Sequence, residues 1–292
     1  MLQNTDTPLR IKFFCRSFDL RLYRLSKSFY EGLGYPCVRL TDQSADGYFY
    51  TMLADTDCDI AINVDEDCFI TDPQAVFDLV DYVVANGYAN AGCSDGGRES
   101  VRAGNPLVTN PFFNVFDLRL IRTKFSREAV KAFRYADHKA AMIAAFDVDS
   151  LDKKYTFDRP EIIEPYYQFF LWLAANFKTL YLTPKRHSDG ISTLLYDLQG
   201  RQLCAHSWLS RFYSVPSIVV RRLQRNAGKQ KARIDALIHE SASQRGGEVV
   251  LPVEHWYDTI HFAADKCVRW VIKVPQRIAA WPAKYRRYHS KN

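Results

Sequence analysis

The sequence predicts an α/β fold: a mixed, mainly parallel sheet flanked by helices, with a basic helical C-terminal extension. Three observations predict it. Short apolar runs of strand character alternate with segments of helical periodicity from residue 11 onward. One run, DIAINV at 59–64, is apolar enough to be a strand covered on both faces. The excess of positive charge is confined to the end of the chain. Residues 211–292 hold 16 Lys/Arg and 6 Asp/Glu, a net +10, whereas residues 1–210 hold 23 and 27, a net −4. With 292 residues, 47% apolar and 25% charged, the chain can bury a substantial core and is neither disordered nor collagen-like. The expected division is 1–215 for the α/β domain and 216–292 for the extension.

The elements follow in order. IKFFCRSF (11–18) reads as a buried strand, and Asp19 as the cap of a helix whose apolar residues recur through 22–33. PCVRL (36–40) is a second strand, so the chain opens β-α-β. After the turn residues 41–47, YFYTMLAD (48–55) is a short helix and 59–64 the third strand. Asp72-Pro73 is an N-cap followed by proline at the first helical position, which starts the helix AVFDLVDYVVANG (75–87). ANAGC (89–93) is a strand and 94–110 a long polar loop; loops of that length are usually functional. PFFNVFDLRLI (111–121) reads as a strand, 126–145 as one helix, and 147–163 as a second long loop. Glu164-Pro165 opens the helix 166–177, TLYLTP (179–184) is a strand, and 203–213 is an aromatic segment. Basic helices are expected near 216–243 and 255–280.

The chemistry concentrates where the strand DIAINV runs into Asp65-Glu66-Asp67. Ligands of open α/β sheets bind beyond the carboxyl ends of the strands. Two carboxylates two residues apart at such a place can reach one hard cation, which takes oxygen ligands from carboxylates and substrate phosphates. Without a cation or an arginine their charges repel. The competing reading is that the two aspartates merely cap a turn.

IAINVDEDCFI, with a β-α-β unit before it, resembles the metal-binding DxD segment of GT-A glycosyltransferases, over roughly residues 10–210. The resemblance implies a GT-A-like (Rossmann-like) fold, a nucleotide-diphospho-sugar donor, Mn2+ or Mg2+ on its pyrophosphate, and transfer of the sugar to an acceptor hydroxyl. Asp67 then ligates the metal, and Asp65 the ribose, a metal-bound water or the metal. Glu66 is counted with the donor-binding residues. The end of the first strand, from Phe14 through Arg16 to Asp19, lies near the nucleotide, with Asp46 as a weaker candidate. Such enzymes often complete the metal site with a late histidine. His206, amid the aromatics of CAHSWLSRFY, is the first choice and His187 the second. A catalytic base is implied at the start of the helix after the acceptor loop, where Glu164 stands. Asp95 is the alternative, with Asp158 and Glu161 behind it. Simple capping of the helix is the competing reading for Glu164, and core packing for His206.

Other classes fit less well. A phosphatase using DxD usually places it on the first strand and follows it with a small pair, whereas Cys68-Phe69 follow here. A nucleotidyltransferase is expected to carry a Gly-rich loop after the first strand, and FCRSFDLRLYRL has none. The non-enzyme alternative is a membrane-surface binding module with a vestigial site. The seven cysteines show no zinc spacing and read as buried free thiols of a reducing cytoplasm. Residues 255–277 form an amphipathic pattern with a cationic side, which either docks on the domain or meets an anionic membrane surface. No nucleic-acid module is recognised. The expectation is therefore a cytoplasmic enzyme, peripheral on the inner face of the membrane if the tail binds lipid, acting on a glycan or glycolipid acceptor in surface polysaccharide or glycolipid synthesis.

Overall fold

A computed structural model describes residues 8–41, 44, 46–96, 104–147, 151, 156–158, 164–213, 215, 225–251, 260, 263 and 264. The chain forms two compact units, the first of residues 1–210 and 233–250, the second of 211–232 and 251–292. The amphipathic segment 255–277 lies almost wholly outside the described residues. Among the described residues no helix is long and apolar enough to cross a membrane.

The first unit contains β1 (Ile11–Arg16), α1 (Leu20–Ser28), β2 (Cys37–Leu40), α2 (Gly47–Ala54), β3 (Ile60–Val64), β4 (Cys68–Ile70), α3 (Pro73–Ala85), β5 (Tyr88–Ser94) and β6 (Thr109–Asp117). It continues through α4 (Leu118–Arg122), α5 (Arg127–Ala132), α6 (Tyr135–Ala144), α7 (Tyr167–Asn176), β7 (Lys178–Arg186), β8 (Thr193–Tyr196) and β9 (Gln202–His206). Helix α8 (Arg225–Gln244) contributes its residues from 233 onward to this unit. The predicted caps hold. Asp19 accepts the amides of Arg21 and Leu22 at the start of α1, and Asp72 accepts that of Ala75 with Pro73 at the first position of α3.

The strands form one sheet in the order β2-β1-β3-β6-β5-β7-β8-β9-β4. It is mixed, as expected, but not mainly parallel. Pairs β1/β2, β1/β3 and β5/β7 are parallel, while β3/β6, β5/β6, β7/β8, β8/β9 and β4/β9 are antiparallel. The excess arises because β6 returns between β3 and β5 and because β8 and β9 follow β7 as a meander. Helices connect the early strands, whereas short turns connect the late ones, and short turns permit only antiparallel pairing.

The sheet has to curl. β3 and β4 stand six places apart in the strand order, which in a flat sheet is about 29 Å at ~4.8 Å per strand. Only Asp65, Glu66 and Asp67 join them, and four Cα steps reach at most about 14 Å. The triplet therefore closes the sheet on itself, and the end of β9 is brought to the end of β3.

Every residue of β3 and β6 is buried. A cluster including Phe14, Phe49, Phe116, Tyr167, Phe169 and Phe170 fills the space beneath α2 and α7. The predicted helix 126–145 is broken at Phe133, whose backbone is extended. The side-chain amide of Gln168 donates to the Val130 and Phe133 carbonyls (2.7 and 2.8 Å), satisfying acceptors that a continuous helix would use itself. The strand predicted at 111–121 ends at Asp117, which caps α4 by accepting the Arg119 and Leu120 amides.

At the opposite, amino-terminal ends of β1 and β3, Arg10 joins the two strands through Asp59. Nη2 donates to Oδ1 at 2.8 Å, and Nε and the backbone amide donate to Oδ2 at 2.9 and 3.0 Å. The hydrogen bonds from Arg10 hold the Asp59 carboxyl at about 2, below its usual 3.8. A lowered carboxyl stabilises the fold above its unfolded value, and that contribution disappears as pH falls from about 4 toward 2. Asp59→Asn is expected to flatten the loss of stability across this window, measured as urea midpoints at pH 4, 3 and 2.

Candidate metal centre

Strand β3 delivers Asp65 to the sheet end. The Asp65 amide donates to the Phe112 carbonyl (2.9 Å), and the Cys68 amide donates back to the Asp65 carbonyl (3.0 Å). This tight turn points Asp65 and Asp67 to one side. β4 then pairs antiparallel with β9, Cys68 opposite His206. The result is a group in which ligand atoms of Asp65, Asp67 and His206 all lie within 4.8 Å of one another. His206 Nε2 stands 3.2 Å from Asp67 Oδ1. His187, the second choice, is occupied elsewhere. Its Nε2 is 2.9 Å from Glu240 and its Nδ1 3.3 Å from Asp189.

The electrostatics of the pair are unequal. Asp65 keeps part of its surface exposed, yet desolvation pushes its carboxyl well up, with the Asp67 charge adding to this and Arg16 opposing it. Burial alone would also raise Asp67. The electrostatic interaction with His206, with hydrogen bonds from His206 and Ser207, more than offsets that and holds Asp67 below the usual carboxylate range.

The residues present fit a divalent cation on three grounds. The donor set, two carboxylates and an imidazole, suits a hard or borderline ion such as Mg2+ or Mn2+. A cation between the aspartates would relieve the repulsion that now raises Asp65. His206 is held in one orientation, stacked on Phe112 (centroids 4.3 Å, planes 9° apart) and against Trp208 (4.3 Å). Its Nε2 faces the aspartates, while Nδ1 is buried without a hydrogen-bond partner.

Glu66 is buried, and its Oε2 accepts the Phe18 and Asp19 amides at 2.8 Å each. It therefore ties the loop after β1 to the turn at Asp65–Asp67, and burial pushes its carboxyl up to about 7. Phe14 is part of the core cluster. Arg16 ends β1 with its guanidinium over the Phe18 and Tyr48 rings (4.8 and 5.5 Å). Asp46 precedes α2 and makes no side-chain capping bond.

Asp95 is fully buried after β5. One oxygen accepts from the Asn110 amide, the other from the Tyr167 and Tyr166 hydroxyls. Gly96 and Gly104 pinch the chain beside it. A Cβ on Gly96 would lie 2.3 Å from the Gly104 carbonyl oxygen, and one on Gly104 2.3 Å from the Tyr167 hydroxyl. Glu164 stands just before α7, its carbonyl accepting the Tyr167 amide (3.1 Å). Asp158 is exposed and ion-paired with Lys139, and Glu161 lies outside the described residues.

No family model matches the chain, and no curated protein does. Solved structures similar to it include A197 from STIV, at 14% identity and TM-score 0.35, over 67% of this chain and 93% of that one. A glycosyltransferase involved in the glycosylation of the major capsid of PBCV-1 matches at 12% identity and TM-score 0.29, over 51% and 80%. The mannosyltransferase PcManGT from Pyrobaculum calidifontis, in complex with GDP-Man and Mn2+, matches at 8% identity and TM-score 0.33, over 94% and 83%. At these scores the likenesses give no residue correspondence, and the site rests on its own side chains.

Sequence reasoning missed Ser207, whose hydroxyl lies 3.3 Å from Asp67 Oδ2 and whose amide donates to the Asp67 carbonyl (2.9 Å). It also missed the stacking role of Phe112. β4 was missed because three residues, CFI, carry no periodicity.

Proposed function

We propose that this chain is a metal-dependent glycosyltransferase that moves a sugar from a nucleotide-diphospho-sugar to an acceptor hydroxyl. The convergence of Asp65, Asp67 and His206 at the carboxyl end of β3 carries this reading. Asp67 and His206 would hold Mn2+ or Mg2+, with Asp65 as a third ligand or a ligand of metal-bound water. When bound, the ion supplies positive charge that stabilises the diphosphate as it leaves. Arg16 and Phe18, which is 51% exposed, offer the nucleotide a cationic and an aromatic surface at the end of β1. Glu66 orients that surface by holding the Phe18 and Asp19 amides. For transfer with inversion, Glu164 takes the proton of the acceptor hydroxyl. Asp95 is in reserve for that role. A glycan or glycolipid is the acceptor class this reading favours.

A thermal-shift screen of UDP-, GDP-, CMP- and dTDP-sugars, each with and without Mn2+, tests the proposal. One nucleotide class is expected to raise the melting temperature only when Mn2+ is present. No shift with any of them contradicts the reading. Glu164→Gln is expected to cut transfer by about 10²-fold or more, the scale of general base catalysis, with donor affinity unchanged. Loss of donor affinity with little change in rate would make Glu164 a binding residue or a cap.

A further inference from the structure

β9 does not continue past His206. Ser207 is followed by Trp208 (φ 56°) and Leu209 (φ 60°), the two non-glycine residues in the left-handed region among the described ones. Two bulky side chains in succession in that region are strained, and such a turn persists only where its surroundings over-determine it. Trp208 is held at both ends. Its indole Nε1 donates to Thr193 Oγ1 (2.9 Å), and its carbonyl accepts from Arg233 Nη2 (3.1 Å). The other nitrogen of the fork, Nη1, donates to Asp189 Oδ2 (3.1 Å) and Ser192 Oγ (2.5 Å).

The Arg233 side chain is only 11% exposed, and Asp189 is built to receive it. Asp189 Oδ1 accepts the Ile191 and Ser192 amides (2.8 and 2.7 Å). Desolvation works to raise its carboxyl, but these bonds, with those from the Ser192 hydroxyl and Arg233, keep it below the usual range. The planar guanidinium spans three acceptors at once, which an ammonium cannot do. What it holds directly is the Trp208 carbonyl, in the residue whose ring is one of the two aromatic walls of His206.

We infer that Arg233 is a positioning residue for the metal centre: it clamps the left-handed Trp208-Leu209 turn so that Trp208 and Phe112 keep His206 aimed at the aspartates. The inference rests on the proposed metal centre. It also assigns part of the basic helix α8 a task at the catalytic unit.

The test is Mn2+ binding to the full chain without donor, followed by the electron paramagnetic resonance signal of free Mn2+. Arg233→Met is expected to weaken Mn2+ binding by about tenfold or more, the usual loss when support around a metal ligand is removed. His206→Ala weakens it too. The double variant should bind no more weakly than His206→Ala alone, because Arg233 acts through His206. Adding Leu209→Gly to Arg233→Met should recover part of the affinity, since glycine adopts positive φ without steric cost. Wild-type affinity in folded Arg233→Met, or independent losses that multiply in the double variant, overturns the inference. Should Arg233→Met fail to fold, Arg233→Lys carries the same comparison, with the same outcomes deciding. A wild-type chain that binds no Mn2+ overturns the metal centre itself, a failure distinct from loss of the clamp.

Discussion

Asp67→Asn is expected to abolish metal-dependent donor binding, lowering Mn2+ affinity by about 10²-fold or more, while the protein stays folded. Asp67 is the carboxylate that His206 and Ser207 keep ionised, so its neutral isostere removes the anionic ligand and leaves the shape. The backbone bond from the Ser207 amide to the Asp67 carbonyl does not depend on the side chain, and the turn between β3 and β4 survives. The substitution also removes the like charge that helps to raise Asp65. Ionised Asp67 is itself favoured by His206 and Ser207, and its loss offsets that relief, so stability is expected to change little or to fall slightly. Calorimetric titration with Mn2+ and urea unfolding of the same samples check both halves. Unchanged Mn2+ affinity would remove the aspartate pair from the mechanism.

The largest loss of stability is expected at Asp95. Asp95→Ala leaves the Tyr167 and Tyr166 hydroxyls and the Asn110 amide without the buried acceptor they now share. Each buried group that loses its acceptor costs about 1–3 kcal/mol, so a total of at least about 3 kcal/mol is expected in urea unfolding. Asp95→Asn, which keeps an acceptor oxygen, should lose less. These bonds tie the end of β5 to the start of α7, next to Glu164. If Asp95→Asn kept full stability and donor binding but lost transfer by about 10²-fold or more, Asp95 rather than Glu164 would be the base.

Much of this arrangement was legible in the sequence because it is local. The apolar run at 59–64 ending in Asp65-Glu66-Asp67 located both the strand and the two aspartates that the fold gathers beside His206. Asp19 and Asp72-Pro73 announced their helices through capping chemistry that acts within three residues. His206 was preferred to His187 for its aromatic setting, and the rings of Phe112 and Trp208 are what hold it in place.

What stayed hidden depends on residues distant in sequence. Antiparallel return of β6 between β3 and β5 is not encoded in periodicity, so the sheet read as mainly parallel. β4 is three residues long and acquires its identity only by pairing with β9. Phe14 is counted with the donor residues as part of the end of the first strand and Glu66 as a member of the triplet; their packing, Phe14 in the core cluster and Glu66 on the amides of Phe18 and Asp19, depends on the fold. Arg233 carried no signal beyond its charge. Its partners, Asp189, Ser192 and the Trp208 carbonyl, are assembled only by the fold.

Asp65, Asp67 and His206 are proposed to hold one divalent ion that bears the donor's diphosphate. Diffraction from crystals grown with Mn2+ and the nucleotide-sugar chosen by the thermal-shift screen, recorded above the manganese absorption edge, tests it most directly. A single anomalous peak is expected between the Asp67 carboxylate and His206 Nε2, in contact with the diphosphate oxygens. An ordered donor with no manganese at this place, or manganese bound elsewhere on the protein with the diphosphate beside it, would contradict it.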